Sequence, residues 1–375
     1  MPLPSLKPTS ESLRSTTTSK NPQLSWPAAG QAAVGIVGSP ILDIHGVQTP
    51  APTASTAKLI TALTVLEQKP LGLDETGPTI TLGPNDVALY NSYSARGGSV
   101  VPAVTGEQIS EYQMLQTIML PSANNMADSL AIWAFGSLKA YSAAANAYLT
   151  RNGLTQTRVG TDDASGFAPS TTSTAHDLVR LGELAMQNPA LAQVVGQSTA
   201  TNIPIVKNIK NVNSLLGTAN IIGVKTGNTD QAGGVYVSAS KTTVNNKPVT
   251  IVTALIGAST LSQALASSLP LVQSAQSNFK PVSVIKAGSV VGRYQLPWGG
   301  SVAAITSTDL TLNTWSGDTM PATTKLDPVS VNTSAGSTIG SISIAKSALS
   351  DQQSVSVKLQ AMPPSPTIWW RLLRP

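Results

Sequence analysis

The chain has 375 residues, 41% apolar and 11% charged, enough for two packed cores and too apolar for global disorder. With no cysteine and two histidines, it has no disulfides, thiolate nucleophile, cysteine-ligated metal or three-histidine site, and neither a metal nor a cofactor is expected. The net charge of +5 is peripheral: residues 27–279 carry 12 Lys and Arg against 13 Asp and Glu, and the flanks carry 11 against 5, which suits either ordinary solubility or an anionic membrane or wall surface and gives no nucleic-acid signature.

Residues 1–26 are rich in Ser, Thr and Pro without apolar periodicity, so a flexible stalk is expected there, and no apolar core of a signal peptide is present. Nor is there a run of about 18 apolar residues anywhere that would span a membrane. From Ala28 the pattern changes. Ala32 to Val37 and Pro40 to Ile44 alternate as two strands about Gly38-Ser39. They lead into Thr53-Ala54-Ser55-Thr56-Ala57-Lys58-Leu59, where Leu59, Leu63 and Leu66 recur at helical spacing. Ser55 then falls near a helix N-terminus with Lys58 one turn along on the same face. A serine hydroxyl is a weak nucleophile at neutral pH, and a lysine whose charged form is disfavoured can take its proton.

Ser-x-x-Lys occurs five times, at Ser55, Ser238, Ser277, Ser283 and Ser343, so spacing alone does not choose among them. Order does. A helical run from Glu111 to Leu120 is broken by Pro121, which presents Ser122 and Asn124 on a turn before helical spacing resumes from Met126 to Phe135. Ser-x-Asn recurs at Ser19 and Ser330, but neither follows a helix break. Thr161 to Phe167 is a turn-rich loop, and Ser173 to Asn188 an amphipathic helix. Ile221 to Gly227 reads as a strand carrying the chain's single Lys-Thr-Gly, Lys225-Thr226-Gly227, followed by a hairpin from Gly233 to Ile256 turning at Asn245-Asn246. A strand edge can pair with an extended peptide while the Lys225 ammonium and Thr226 hydroxyl hold a carboxylate.

His45 raises a Ser-His-Asp triad as an alternative, but no Gly-x-Ser-x-Gly elbow surrounds any serine, and His176 sits at a helix start; both imidazoles are expected to be structural or solvated. After a last helix, Ser262 to Phe279, residues 280–361 alternate between Gly, Pro and Asn turns as a small all-β domain. The tail, 362–375, pairs Trp369 and Trp370 with arginines, which suits either a membrane interface or packing on the β domain.

The trio Ser55-x-x-Lys58, Ser122-x-Asn124 and Lys225-Thr226-Gly227 resembles that of the low-molecular-mass penicillin-binding proteins, specifically the serine D-alanyl-D-alanine carboxypeptidases. Leu120 to Ala127, Asp163-Ala164-Ser165-Gly166 with Ser173 to Leu178, and Gly223 to Gly233 are similar to that family in order and separation, and 280–361 to its C-terminal β domain. The resemblance implies an α+β fold, a helical cluster joined to a five-stranded antiparallel sheet, with the catalytic domain at 27–279 and the β domain as spacer. It also implies Ser55 as nucleophile, Lys58 as base and Ser122 as proton relay. Asn124, Lys225, Thr226, Gly227 and Asn228 would bind a peptidoglycan stem peptide, with oxyanion donors at the Ser55 and Asn228 backbone. β-Lactams would acylate Ser55, and the enzyme would act outside the cytoplasm, membrane-anchored in full length by a segment this sequence lacks. Ala57 and Ala123 depart from the family's threonine and glycine without removing a reacting group.

The same residues could serve an endopeptidase or transpeptidase, or a wall-binding scaffold that has lost turnover. A β-lactamase is disfavoured because no Glu-x-x-Leu-Asn loop lies between Ser122 and Lys225.

Overall fold

The structure, a computed structural model, describes residues 3–11, 22–40, 42–316 and 320–373. The chain forms two compact units, one of residues 24–242 and 248–276, the other of residues 1–23, 243–247 and 277–375.

In the first unit, strands β1 (Gln31–Ile36), β2 (Leu42–His45), β3 (Ile221–Thr229), β4 (Gly233–Val244) and β5 (Lys247–Ala258) form one five-stranded sheet in the order β3-β4-β5-β1-β2. The β3–β4, β5–β1 and β1–β2 pairs are antiparallel, and the β4–β5 hairpin turns on Asn245 and Asn246, both with positive φ, as a two-residue hairpin turn with right-handed strand twist needs. β3 is an edge strand, so alternate backbone groups along it face away from the sheet.

The helices are α1 (Ala57–Gln68), α2 (Pro84–Ala95), α3 (Glu111–Met119), α4 (Asn124–Phe135), α5 (Leu138–Arg151), α6 (Ala175–Gln187), α7 (Pro189–Val195) and α8 (Leu261–Gln276). α1 is buried on every side from Ala57 to Leu66, the signature of a helix at the centre of a core rather than on its surface. Leu59 and Ile60 are fully enclosed, each contributing about 1.5–3 kcal/mol through burial. That all-round packing carries the polar Lys58 inside with its neighbours. α3 begins with a reciprocal cap between Ser110 and Gln113 and ends just before Pro121, whose missing N–H cannot continue it. α4 starts at Asn124, two residues earlier than the apolar spacing indicates.

In the second unit, six strands pair in the order Pro8–Ser10, Val290–Gln295, Ser301–Thr306, Gln353–Leu359, Thr338–Ile344, Ala322–Leu326, and Phe279–Ile285 pairs with Leu310–Trp315. Residues 280–361 are all-β as expected. The N-terminal segment departs from the stalk reading. Pro8–Ser10 is an edge strand on Val290–Gln295, and Leu6, 1% exposed, bridges to Val329. Backbone pairing is blind to a Ser/Thr/Pro composition, and an edge strand tolerates Pro8, which has no N–H to donate. Residues 12–21 of that expected stalk lie outside the described residues. The tail holds a short helix, Ile368–Leu373, in which Trp370 packs edge-on against Trp298 at 5.1 Å while Trp369 is 73% exposed.

Candidate active site

Ser55 lies not within α1 but in the 3-10 turn Ala54–Thr56 that precedes it. The turn is held by Thr56, whose hydroxyl donates to the Thr53 carbonyl at 2.7 Å, and Ala54 takes a positive φ of 45°. Two glycines let neighbouring segments close on it. A Cβ on Gly166 would sit 2.0 Å from the Ala54 carbonyl oxygen, and one on Gly227 would sit 3.1 Å from the Ser55 nitrogen. The loop 163–168 and strand β3 therefore both reach the nucleophile's backbone.

Lys58 is fully enclosed, and its Nζ lies 2.8 Å from Ser55 Oγ, 2.6 Å from Asn124 Oδ1 and 3.0 Å from the Ser165 carbonyl oxygen. Burial lowers its pKa to about 7, opposed by the nearby carboxylates of Asp163 and then Asp128. A neutral amine keeps two N–H donors and one lone pair. The Asn124 and Ser165 oxygens accept only, so they take both N–H groups, and the lone pair is left facing the Ser55 hydroxyl.

Two buried carboxyls build the frame around this amine. Asp163 accepts from the Ser165, Gly166 and Ala168 backbone N–H groups at 2.7, 2.5 and 2.6 Å, which curls the loop so that the Ser165 carbonyl points at Lys58. Asp128 accepts from the Ala164 N–H and the Tyr93 hydroxyl, both at 2.7 Å. Burial raises the Asp128 pKa to about 7, a shift that these two hydrogen bonds and Lys58 limit. Neither carboxylate is marked by the three short motifs, although Asp163-x-Ser165-Gly166 carries the sequence signature of a side chain capping its own turn.

Ser122 has a φ of 66° after the Pro121 break; the Ala123 N–H donates to the Thr117 carbonyl and the Asn124 N–H to the Ser99 carbonyl at 2.7 Å. Across from it, Lys225, 1% exposed, donates to Ser122 Oγ at 2.9 Å and to the Thr226 carbonyl at 3.0 Å. Burial, then repulsion from Lys58, holds the Lys225 pKa well below the usual lysine value. The buried Thr226 hydroxyl has no hydrogen-bond partner among the described residues. Gly227 and Asn228 continue along β3, paired with Val235 and Gly234, and exposed Asn228 lines a cavity of about 480 Å³ with Thr229, Asp230, Ser259 and Thr260. All eight residues singled out in the sequence therefore sit around one centre. The histidines do not share it: His45 stacks on Trp26 at 5.3 Å, and His176 pairs with Asp177 at 2.9 Å. Among the described residues, no group of three or more His, Cys, Asp or Glu is placed to hold a metal ion.

The profile of the D-alanyl-D-alanine carboxypeptidase family matches residues 30–260, more than half of the chain and all of this centre. The chain belongs to that family. It is similar to D-alanyl-D-alanine carboxypeptidase DacA of Escherichia coli, 24% identical over 261 residues that make up 68% of this chain and 62% of that protein. It is also similar to the D-alanyl-D-alanine carboxypeptidase of Streptomyces sp. strain K15, 29% identical over 203 residues, half of this chain and 67% of that one. Among solved structures, penicillin binding protein 5 from Haemophilus influenzae superposes with a TM-score of 0.60 at 20% identity, over 92% of this chain and 98% of that one. The Streptomyces K15 DD-transpeptidase does so with a TM-score of 0.59 at 24% identity, over 68% and 98%. These likenesses establish the penicillin-binding fold, with its helical cluster and five-stranded sheet.

Proposed function

We propose that this protein is a serine-type D-Ala-D-Ala carboxypeptidase that removes the terminal D-alanine from peptidoglycan stem pentapeptides through an acyl-enzyme on Ser55. The observation that carries the reading is the Lys58 amine, enclosed, lowered to about 7 and 2.8 Å from Ser55 Oγ with its other two positions occupied. Family membership supports the reaction class.

Lys58 accepts the Ser55 proton as Oγ attacks the carbonyl between the two D-alanines. The Ser55 and Asn228 backbone N–H groups stabilise the oxyanion, and the edge position of β3 supports such a role for Asn228. Ser122, hydrogen-bonded to Lys225, passes a proton to the leaving amine, and free D-alanine departs. Asn124 orients the substrate amide, while Lys225 and the unpartnered Thr226 hydroxyl hold the terminal carboxylate beside Gly227. Water then takes the acyl group from Ser55. The same residues would accept a β-lactam. We assign catalysis to the unit built of residues 24–242 and 248–276 and a spacer role to the β unit. The exposed Ile368, Trp369, Leu372 and Leu373 support contact with a membrane surface outside the cytoplasm; among the described residues no helix is long and apolar enough to cross one.

The test is intact mass after incubation with benzylpenicillin, together with D-alanine release from a pentapeptide. A persistent adduct that maps to Ser55 and is lost in Ser55→Ala, with D-alanine released, is expected. A folded protein that forms no adduct and releases no D-alanine would overturn the reading. An adduct accompanied by transfer of the acyl group to an added amine would make the enzyme a transpeptidase.

A further inference from the structure

We propose that Arg96 is an anion-recognition residue beside this site, binding the side-chain carboxylate of the peptide residue that precedes the two D-alanines. The inference rests on the carboxypeptidase reading for the identity of the peptide, and on the following geometry for the site.

Arg96 follows α2 in the loop that continues to Gly98 and Ser99. Its guanidinium carbon lies 4.6 Å from the Tyr93 ring centre and 5.0 Å from that of Phe167, whose rings meet edge to face at 5.5 Å. Both rings are anchored. Tyr93 is 2% exposed with its hydroxyl on Asp128, and Phe167 belongs to the loop that Asp163 ties down. The planar cation is therefore held over two fixed π faces, which favour a guanidinium over an ammonium. Its Nε donates to the Ser92 carbonyl at 3.2 Å; among the described residues no carboxylate pairs with it, and no hydrogen bond engages the terminal nitrogens. An exposed, pre-positioned guanidinium with its two-nitrogen edge unused matches a carboxylate bidentately.

The loop that carries it borders the reacting centre. A Cβ on Gly98 would lie 2.8 Å from Asn124 Nδ2 and 3.4 Å from the Phe167 ring, and the Ser99 carbonyl accepts the Asn124 N–H. Asn124 is also the residue whose carboxamide oxygen takes a Lys58 N–H. Lys225 and Ser122 occupy the side of the terminal carboxylate and the leaving amine. Arg96 lies on the loop beside Asn124, to which the substrate amide upstream of the scissile bond is assigned above, so the preceding residue falls on its side. A carboxylate there can form a bidentate ion pair with the guanidinium, whereas an amide or ammonium cannot.

The test compares L-Ala-γ-D-Glu-X-D-Ala-D-Ala with X as diaminopimelate, its side-chain carboxyl either free or as the carboxamide, on wild type, Arg96→Gln and Arg96→Lys. Wild type is expected to favour the free acid by about tenfold in kcat/KM, through KM and less so at high salt, as for a partly exposed bidentate pair. The ratio should fall to near one in Arg96→Gln and be partly kept in Arg96→Lys. Being internal to each variant, the ratio is insensitive to how much of that variant folds. Calorimetric binding of both peptides to Ser55→Ala, with and without Arg96→Gln, gives the same comparison without turnover. Absence of the preference in that binding, or its survival in Arg96→Gln, overturns the assignment of Arg96. A preference that Arg96→Gln removes in a protein releasing no D-alanine would support Arg96 and overturn the carboxypeptidase reading instead.

Discussion

The helical side of the site and the β3 side, which we call its two walls, each bury a lysine, and they treat it oppositely. On the helical wall Lys58 sits within the field of Asp163 and Asp128, which offset part of the cost of burial and leave its pKa about 7. On the strand wall Lys225 has a hydroxyl and a backbone carbonyl for partners, no carboxylate among the groups that shift it, and a second cation nearby. The first lysine is tuned by the protein and the second is left for a ligand to complete. A base must release and regain a proton near neutrality, whereas a carboxylate receptor gains most when its charge is satisfied only in the complex.

Replacing each lysine by methionine tests this contrast with the largest effects. Lys58→Met is expected to slow acylation at least about 10³-fold, and Lys225→Met to lower kcat/KM for peptides about 10²-fold, mainly through KM. Thermal unfolding should separate them further. Lys58→Met leaves two buried carboxyls without their cation and should cost about 3 kcal/mol, while Lys225→Met, which removes a buried amine that has no counter-ion, should leave stability unchanged or raised. Equal losses of stability would erase the distinction between the walls.

A smaller effect concerns pH. The acylation rate should rise with pH through about 7 as Lys58 becomes neutral. Asp128→Asn removes a charge that favours the ammonium, so the midpoint should move down, by about one pH unit. Stopped-flow acylation between pH 5 and 9 reads this directly, and an upward move would contradict the assigned field.

Proton uptake on binding isolates the strand wall. Because burial holds the Lys225 pKa below the usual lysine value, a peptide ending in a carboxylate should raise it and be accompanied by proton uptake, and its C-terminal amide should not. Calorimetry of Ser55→Ala in buffers of different ionisation enthalpy measures the uptake.

The smallest effect lies away from the groove. Glu111 is fully enclosed, with neither carboxylate oxygen hydrogen-bonded, and burial raises its pKa from 4.5 to about 7. Because the folded-state value is the higher one, its contribution to stability is full below pH 4.5 and is lost as pH rises through 7. Glu111→Gln should therefore raise stability by about 1–2 kcal/mol at pH 8 and not at pH 4, seen as a denaturation midpoint that shifts only at the higher pH.

The groups that we propose meet the substrate were legible because each is a side chain in a short, ordered pattern: Ser55 and Lys58, Ser122 and Asn124, Lys225 and Thr226. What tunes them was less so. The third partner of Lys58 is the Ser165 backbone carbonyl, and a carbonyl leaves no mark of its own in a sequence. Asp163 caps its own turn within a turn-rich stretch, but nothing local ties it to Lys58, and nothing local separates Asp128 from a solvated carboxylate. In the fold, strands with clear alternation and α1, with Leu59, Leu63 and Leu66 at helical spacing, were readable. α2 was missed even though Gly83, Pro84 and Asp86 form a start signal, because its body lacks an apolar stripe. α5 is similarly weak in pattern. The strand Pro8–Ser10 had no side-chain signature at all.

That strand bears on how the molecule is made. Ser10 pairs with Gly292, so this strand leaves the ribosome with no partner until some 280 further residues have followed. The unit of residues 24–242 and 248–276 can close around α1 while this early segment still waits. Such a long-separated pairing is slow to find, so the sheet that contains it is expected to be the last part of the protein to acquire protease resistance during synthesis.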